Sequence, residues 1–157
     1  MVDTENIQMR GFHNLKDKDG KVWGFQFGFR TGYYKGLWLS QFRAGDAIVD
    51  GVRYPKETLL WNIQGIDYTR EEMFDRMDQY WQVNDAAYVK VPKPGGLTQG
   101  YHDLVIEWGY VSNYNNELEK EYDGSGFGNA GPMMRRAGMG GQQAAPSGSK
   151  RRLLLVW

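Results

Sequence analysis

The sequence predicts an all-β protein, an antiparallel, jelly-roll-like β-sandwich that carries one short helix. Three observations point there. Aromatic residues make up 15% of the chain while its mean hydropathy is negative, the balance expected when strands rich in Trp, Tyr and Phe are joined by polar turns. The run over residues 22–30 puts Trp23, Phe25, Phe27 and Phe29 on one side of an extended chain and Gly24, Gln26 and Gly28 on the other. Asp19-Gly20 and Asp50-Gly51 interrupt strand-like runs, and Asp-Gly tolerates the positive φ that both central residues of a tight hairpin turn require.

Taken in order, the elements follow from local chemistry. The aromatic face of 22–30 must be buried, while the glycines on its other face mark a bulge or a place where another backbone or a partner comes close. YYKGLWLSQF, residues 33–42, reads as a further extended segment in which Tyr34, Gly36, Trp38 and Ser40 share a face. LLWNI, residues 59–63, is a short apolar strand. Thr69 with Glu72 forms a capping box, so a short helix follows, with Met73, Phe74, Met77 and Tyr80 at helical spacing and Glu72 paired to Arg76. YWQV, AAYVKV and YHDLVIEWGYVSNY are read as three strands, with Pro94-Gly95 reversing the chain between the latter two. On the last of them His102, Leu104, Ile106, Trp108 and Tyr110 share one face and Val105, Glu107 and Val111 the other. At 157 residues a single domain over 1–157 is expected. Within it, 123–149 turns to Gly, Ala, Gln and Ser and is expected to be a long mobile loop anchored by Phe127, Met133, Met134 and Met139, before a strand over 151–157 returns to the sheet.

Composition excludes several functions. Nineteen basic residues balance nineteen acidic ones and only Lys150, Arg151 and Arg152 cluster, so nucleic acid is not an expected partner. The absence of cysteine removes disulfides, thiolate catalysis and thiolate metal sites, and fits a cytoplasmic setting. No leader-like or membrane-spanning run stands in the sequence, so no membrane association is expected.

Catalytic motifs are equally sparse. His13 and His102 each stand without a second ligand at strand or helix spacing, which makes a hydrogen-bonded histidine near a strand end the better reading than a metal ligand. No serine sits in a G-x-S-x-G elbow, and GSGFGNAG at 124–131 lacks the strand before it and the Lys-Ser/Thr after it that a phosphate loop needs. Glu107 is the acid most worth watching, on a face expected to be solvated. Tyr33, Tyr34 and Trp38 are better placed to act, as surfaces for a sugar, a flat aromatic or a partner's pocket.

GFQFGFRTGYYKGLWLS, then IDYTREEM, then YWQVNDAAYVKVPKPGGLTQGYHDLVI, VSNY and a terminal KRRLLLV together resemble the small β subunit of the bacterial C-glycoside deglycosidases, from about residue 24 to 157. The chain departs from the family's pattern in having Lys35 where members tend to have Arg, and in lacking a proline near Trp38. The resemblance implies a heteromeric enzyme. Its larger α subunit is a TIM-barrel carrying a divalent metal, manganese or magnesium, and the acid/base groups. The complex cleaves the carbon–carbon bond between a 3-keto sugar and an aromatic, flavonoid-type aglycone. On this chain the resemblance implies no catalytic or metal-binding residue; Tyr33, Tyr34, Lys35, Trp38, Phe127, Met133 and Met134 are its candidates for the partner interface or the wall beside the aglycone. Two other readings stand beside it: a stand-alone carbohydrate-binding β-sandwich module, and an enzyme in its own right built on Glu107 and His102.

Overall fold

The computed structural model describes residues 5–31, 36–82, 84–110 and 149–156. Among them the strands are β1 (Ile7–Lys16), β2 (Val22–Phe29), β3 (Leu37–Trp38), β4 (Phe42–Val49), β5 (Val52–Tyr54), β6 (Leu60–Ile63), β7 (Ile66–Tyr68), β8 (Tyr80–Trp81), β9 (Ala87–Pro92), β10 (Gly100–Tyr110) and β11 (Ser149–Leu155), with helix α1 (Arg70–Phe74) between β7 and β8. A five-stranded sheet has the order β1-β2-β9-β6-β7 and a four-stranded sheet the order β11-β10-β4-β5, while β3 and β8 form a two-residue ribbon. Every pairing is antiparallel. The fold is the all-β sandwich with a short helix that the sequence predicts. No helix among the described residues is long and apolar enough to cross a membrane.

The core lies between the sheets, where Phe25, Phe27, Phe29, Trp61 and Val89 of one layer meet Phe42, Val49, Leu104, Ile106 and Trp108 of the other. Ring contacts stitch the layers together: Phe29 meets Phe42 at 5.9 Å and Trp108 at 5.2 Å, and Phe42 meets Trp61 at 4.9 Å. Of the aromatic stripe on β2, only Trp23 stays half-buried. The opposite face is covered as well. A Cβ at Gly24 would run into the Val91 carbonyl of β9, so the glycine there is required by the sheet's own neighbouring backbone.

The expected tight turn forms at Asp50-Gly51, where both residues have positive φ (52° and 84°) and Val49 faces Val52. At 19–20 only Gly20 does (83°). There the Asp17 carboxylate accepts from the Asp19 and Lys21 amides, both at 2.9 Å, and organises a longer loop. A second such turn, Gln64-Gly65 (55° and 84°), joins β6 to β7; Gln, unlike Asn or Asp, does not announce it in the sequence. Pro94-Gly95 does turn the chain, with Gly95 at φ 83° and the Gly96 amide donating to the Lys93 carbonyl at 2.8 Å. It does not make a hairpin: β9 and β10 lie in different sheets, so the turn carries the chain across the sandwich.

Two further expectations are corrected. Residues 33–42 are not one strand, because a 3₁₀ turn at Leu39–Gln41 separates β3 from β4. The capping box is present, with Thr69 Oγ1 accepting from the Glu72 amide at 3.2 Å and Glu72 Oε1 from the Thr69 amide at 2.9 Å. The helix nevertheless ends at Phe74, leaving Met77 52% exposed and Tyr80 on β8. Glu72 is engaged in its cap, and Arg76 pairs with Asp78 at 3.7 Å instead.

β11 closes one edge. The Ser149 hydroxyl accepts from Trp108 Nε1 at 2.9 Å and donates to Asn6 Oδ1 at 2.8 Å, and Arg151 donates to the Ile7 carbonyl at 2.9 Å, which ties β11 to β1 of the opposite sheet.

Candidate functional site

One end of the sandwich gathers Trp, Tyr, Phe and Arg. β3 pairs with β8 so that Trp38 lies opposite Tyr80, their rings edge-to-face at 5.1 Å. The approach is close: a Cβ at Gly36 would meet Tyr80 ring atoms at 2.7 and 2.9 Å. The turn behind Trp38 is fixed by buried Gln41, whose Oε1 accepts from the Trp38 amide at 2.9 Å. Trp38 itself stays half-buried, so part of its ring remains available.

Helix α1 packs beside this corner. The Phe74 ring has the Arg43 guanidinium 4.8 Å from its centroid and that of Arg70 at 4.5 Å. Both arginines are buried, and backbone carbonyls hold them: Arg43 donates to Ser40 and Phe42, and Arg70 to Ala44 at 3.2 Å. Sequence reasoning missed Arg43 and Arg70, because the packing of α1 against β4 that buries them has no local signature. Among the sequence's interface candidates, Trp38 is the one described; Tyr33, Tyr34, Lys35, Phe127, Met133 and Met134 lie outside the described residues.

Residues 2–114 match the family model described as C-glycoside deglycosidase beta subunit. The chain belongs to that family. Over 113 residues it is 41% identical to the C-glycoside deglycosidase beta subunit of Eubacterium cellulosolvens, a stretch covering 72% of this chain and 77% of that protein. Over 60 residues it is 35% identical to the C-glycoside deglycosidase beta subunit of Arthrobacter globiformis, covering 38% of this chain and 46% of that one. The beta-subunit match includes Trp38, Arg43, Arg70, Tyr80 and His102, and it starts earlier and ends earlier than the sequence resemblance, leaving KRRLLLV beyond it.

In this beta-subunit family member, His102 and Asp50 are committed to structure. His102 opens β10 and is 7% exposed, with Nε2 2.7 Å from the Thr98 carbonyl and Nδ1 2.5 Å from Asp50 Oδ2. Both neighbours are acceptors, so both ring nitrogens carry protons. Burial opposes that charge, but the hydrogen bonds to Asp50 and Thr98 and the charges of Asp50 and Asp103 outweigh it, and the pKa stands above the ordinary 6.5. Burial likewise works against the Asp50 carboxylate, yet His102 and the Asp103 amide hold its pKa below 3.8. The ring clasps the Asp50-Gly51 turn to the start of β10, which is the hydrogen-bonded strand-end histidine the sequence suggested.

This fixes the sign of a pH effect. The raised His102 pKa means its contribution is complete below pH 6.5 and is lost as pH climbs through the raised value; the lowered Asp50 pKa means that its share is lost only as pH falls below 3.8. The stability advantage of wild type over His102→Gln is expected to shrink as pH rises above 6.5 in urea unfolding, and a constant difference would contradict the protonated clasp.

His13 lies exposed on β1 with Nδ1 donating to the Asn14 carbonyl at 2.8 Å. Glu107 corrects the expectation of a solvated face: it is only 8% exposed and accepts from Arg53 at 3.0 Å, a guanidinium shared with Asp46 at 2.8 Å. A bulge explains this, since β10 places Ile106 opposite Ala47 but Trp108 opposite Ala44, so Gly45 and Asp46 together face Glu107. Among the described residues no three His, Asp or Glu side chains gather to hold a metal ion.

Proposed function

We propose that this chain is the small, non-catalytic subunit of a heteromeric C-glycoside deglycosidase, working with a larger TIM-barrel subunit in the cytoplasm. The observation that carries the reading is the match of residues 2–114 to the beta-subunit family. In the proposed reaction the ketone of a 3-keto sugar acidifies the adjacent C–H, a base removes that proton, and the aromatic aglycone leaves from carbon with proton donation. The base and the acid belong to the larger subunit. So does the divalent metal, manganese or magnesium, which supplies Lewis acidity when bound; the described residues of this chain do not form a site that fits it.

What this chain contributes is a rigid docking face. Trp and Tyr are residues that anchor protein interfaces, and this corner presents the half-buried Trp38, Tyr80 and Phe74 on a backbone fixed by the core, with the buried Arg43 and Arg70 bracing the Phe74 ring. Seated there, the larger subunit would have its active-site loops held and the aglycone side of its pocket shielded from water. Co-expression with the larger subunit, followed by size-exclusion chromatography with light scattering, is expected to give one stoichiometric complex. Separate elution of the two chains at micromolar concentration would defeat the assignment.

A further inference from the structure

Beside the β6–β7 hairpin lies a cleft of about 280 Å³ whose chemistry the subunit reading does not use. Asn62, Gln64, Asn84, Asp85 and Tyr88 line it. The lining has one carboxylate and no Lys, Arg or His, which disfavours both a metal ion and an anion. Side-chain amides, a carboxylate and a tyrosine are instead the donors, acceptors and ring surface that a neutral polyhydroxylated ring needs. At just under the roughly 300–1,000 Å³ usual for ligand pockets, the space suits one such ring.

The polar groups are held from behind. Lys90 donates to Asp67 at 3.1 Å and Asn62 Nδ2 donates to the same carboxylate at 2.7 Å, which leaves Asn62 Oδ1 as an acceptor. Gln79 donates to Gln64 Oε1 at 2.6 Å, and Gln64 Nε2 lies 3.3 Å from both Asp85 Oδ2 and the Tyr80 carbonyl. The Asp85 carbonyl accepts from Trp81 Nε1 at 2.8 Å. Gln64 also sits at φ 55°, where Asn, Asp or Gly is the ordinary occupant of such a turn. Keeping a long amide in that conformation strains the backbone and retains its hydrogen-bonding end at the cleft.

From this arrangement we infer that the cleft binds a neutral pyranose sugar, through hydrogen bonds to Asn62, Gln64 and Asp85 and contact with Tyr88. The inference concerns this chain alone and does not depend on the subunit assignment. Its test is an amide-detected NMR titration of the full-length chain with methyl β-glucopyranoside. Saturable shifts are expected at Asn62, Gln64, Asn84 and Asp85, with Kd of about 1 mM. Gln64→Gly frees the strained φ, so its thermal midpoint is expected to be no lower than wild type while its affinity falls about tenfold. Asp85→Asn, which keeps size and removes the charge, is expected to weaken binding similarly. Absence of saturable shifts up to about 50 mM sugar, or unchanged affinity in both folded variants, would overturn the proposal. Either result leaves complex formation with the larger subunit to be judged separately.

Discussion

Replacing Phe42 by alanine is expected to remove about 3–5 kcal/mol of folding stability, enough to leave much of the chain unfolded if its total lies at the lower end of the usual range. Phe42 is fully buried and begins β4 directly after the 3₁₀ turn. Its ring touches Trp61 at 4.9 Å, Trp81 at 5.1 Å, Phe29 at 5.9 Å and, stacked, Trp108 at 5.9 Å. Those partners come from β6, β8, β2 and β10, so one deletion opens a cavity where both sheets and the β3–β8 ribbon meet. Equilibrium urea unfolding should show the loss as a lower midpoint with an unchanged slope. A loss below about 1.5 kcal/mol would mean that the core can collapse around the gap and that Phe42 is not its keystone.

The second large effect is on assembly. Trp38→Ala is expected to weaken association with the larger subunit by about 30- to 1,000-fold, the 2–4 kcal/mol that a central aromatic anchor carries. The fold itself should lose less, because Trp38 is half-buried and its ring packs edge-to-face on Tyr80 rather than inside the core. Loss of that edge-to-face pair accounts for about 0.5–1.5 kcal/mol beyond buried area. Calorimetric titration of the purified subunits reads the affinity, and Trp38→Phe should recover part of it. An affinity within about threefold of wild type would move the docking face away from this corner.

Much of the fold could be read from neighbouring residues in the sequence. The alternation of Phe25, Phe27 and Phe29 reports a buried strand because the period of two belongs to the strand itself, and Thr69 with Glu72 reports a helix start because both bonds of the box are local. What could not be read depends on residues distant in sequence. Pro94-Gly95 has the same turn chemistry whether it returns a strand to its own sheet or hands it to the other. The bulge that brings Glu107 to Arg53 exists only through the pairing of β10 with β4, and Asp17 displaces the expected Asp19-Gly20 turn from outside that dipeptide.

The candidate site divides the same way. Trp38 was visible as an aromatic in a short segment between breaks, and the family resemblance was visible in the motifs. Arg43, Arg70 and Phe74 become one feature only when α1 packs beside β4, and the amides around Asp85 converge only when the β6–β7 hairpin meets the segment before β9. Gln64 is legible only through its backbone, whose positive φ the residue type does not announce.

On the proposed reading this polypeptide supplies framework and docking surface while the reactive groups stand on another chain. Turnover of a 3-keto C-glucoside, assayed with added manganese, tests it most directly. The purified chain alone is expected to give no turnover, and free aglycone is expected to be released once the larger subunit is added. Efficient release by the purified chain alone would contradict it.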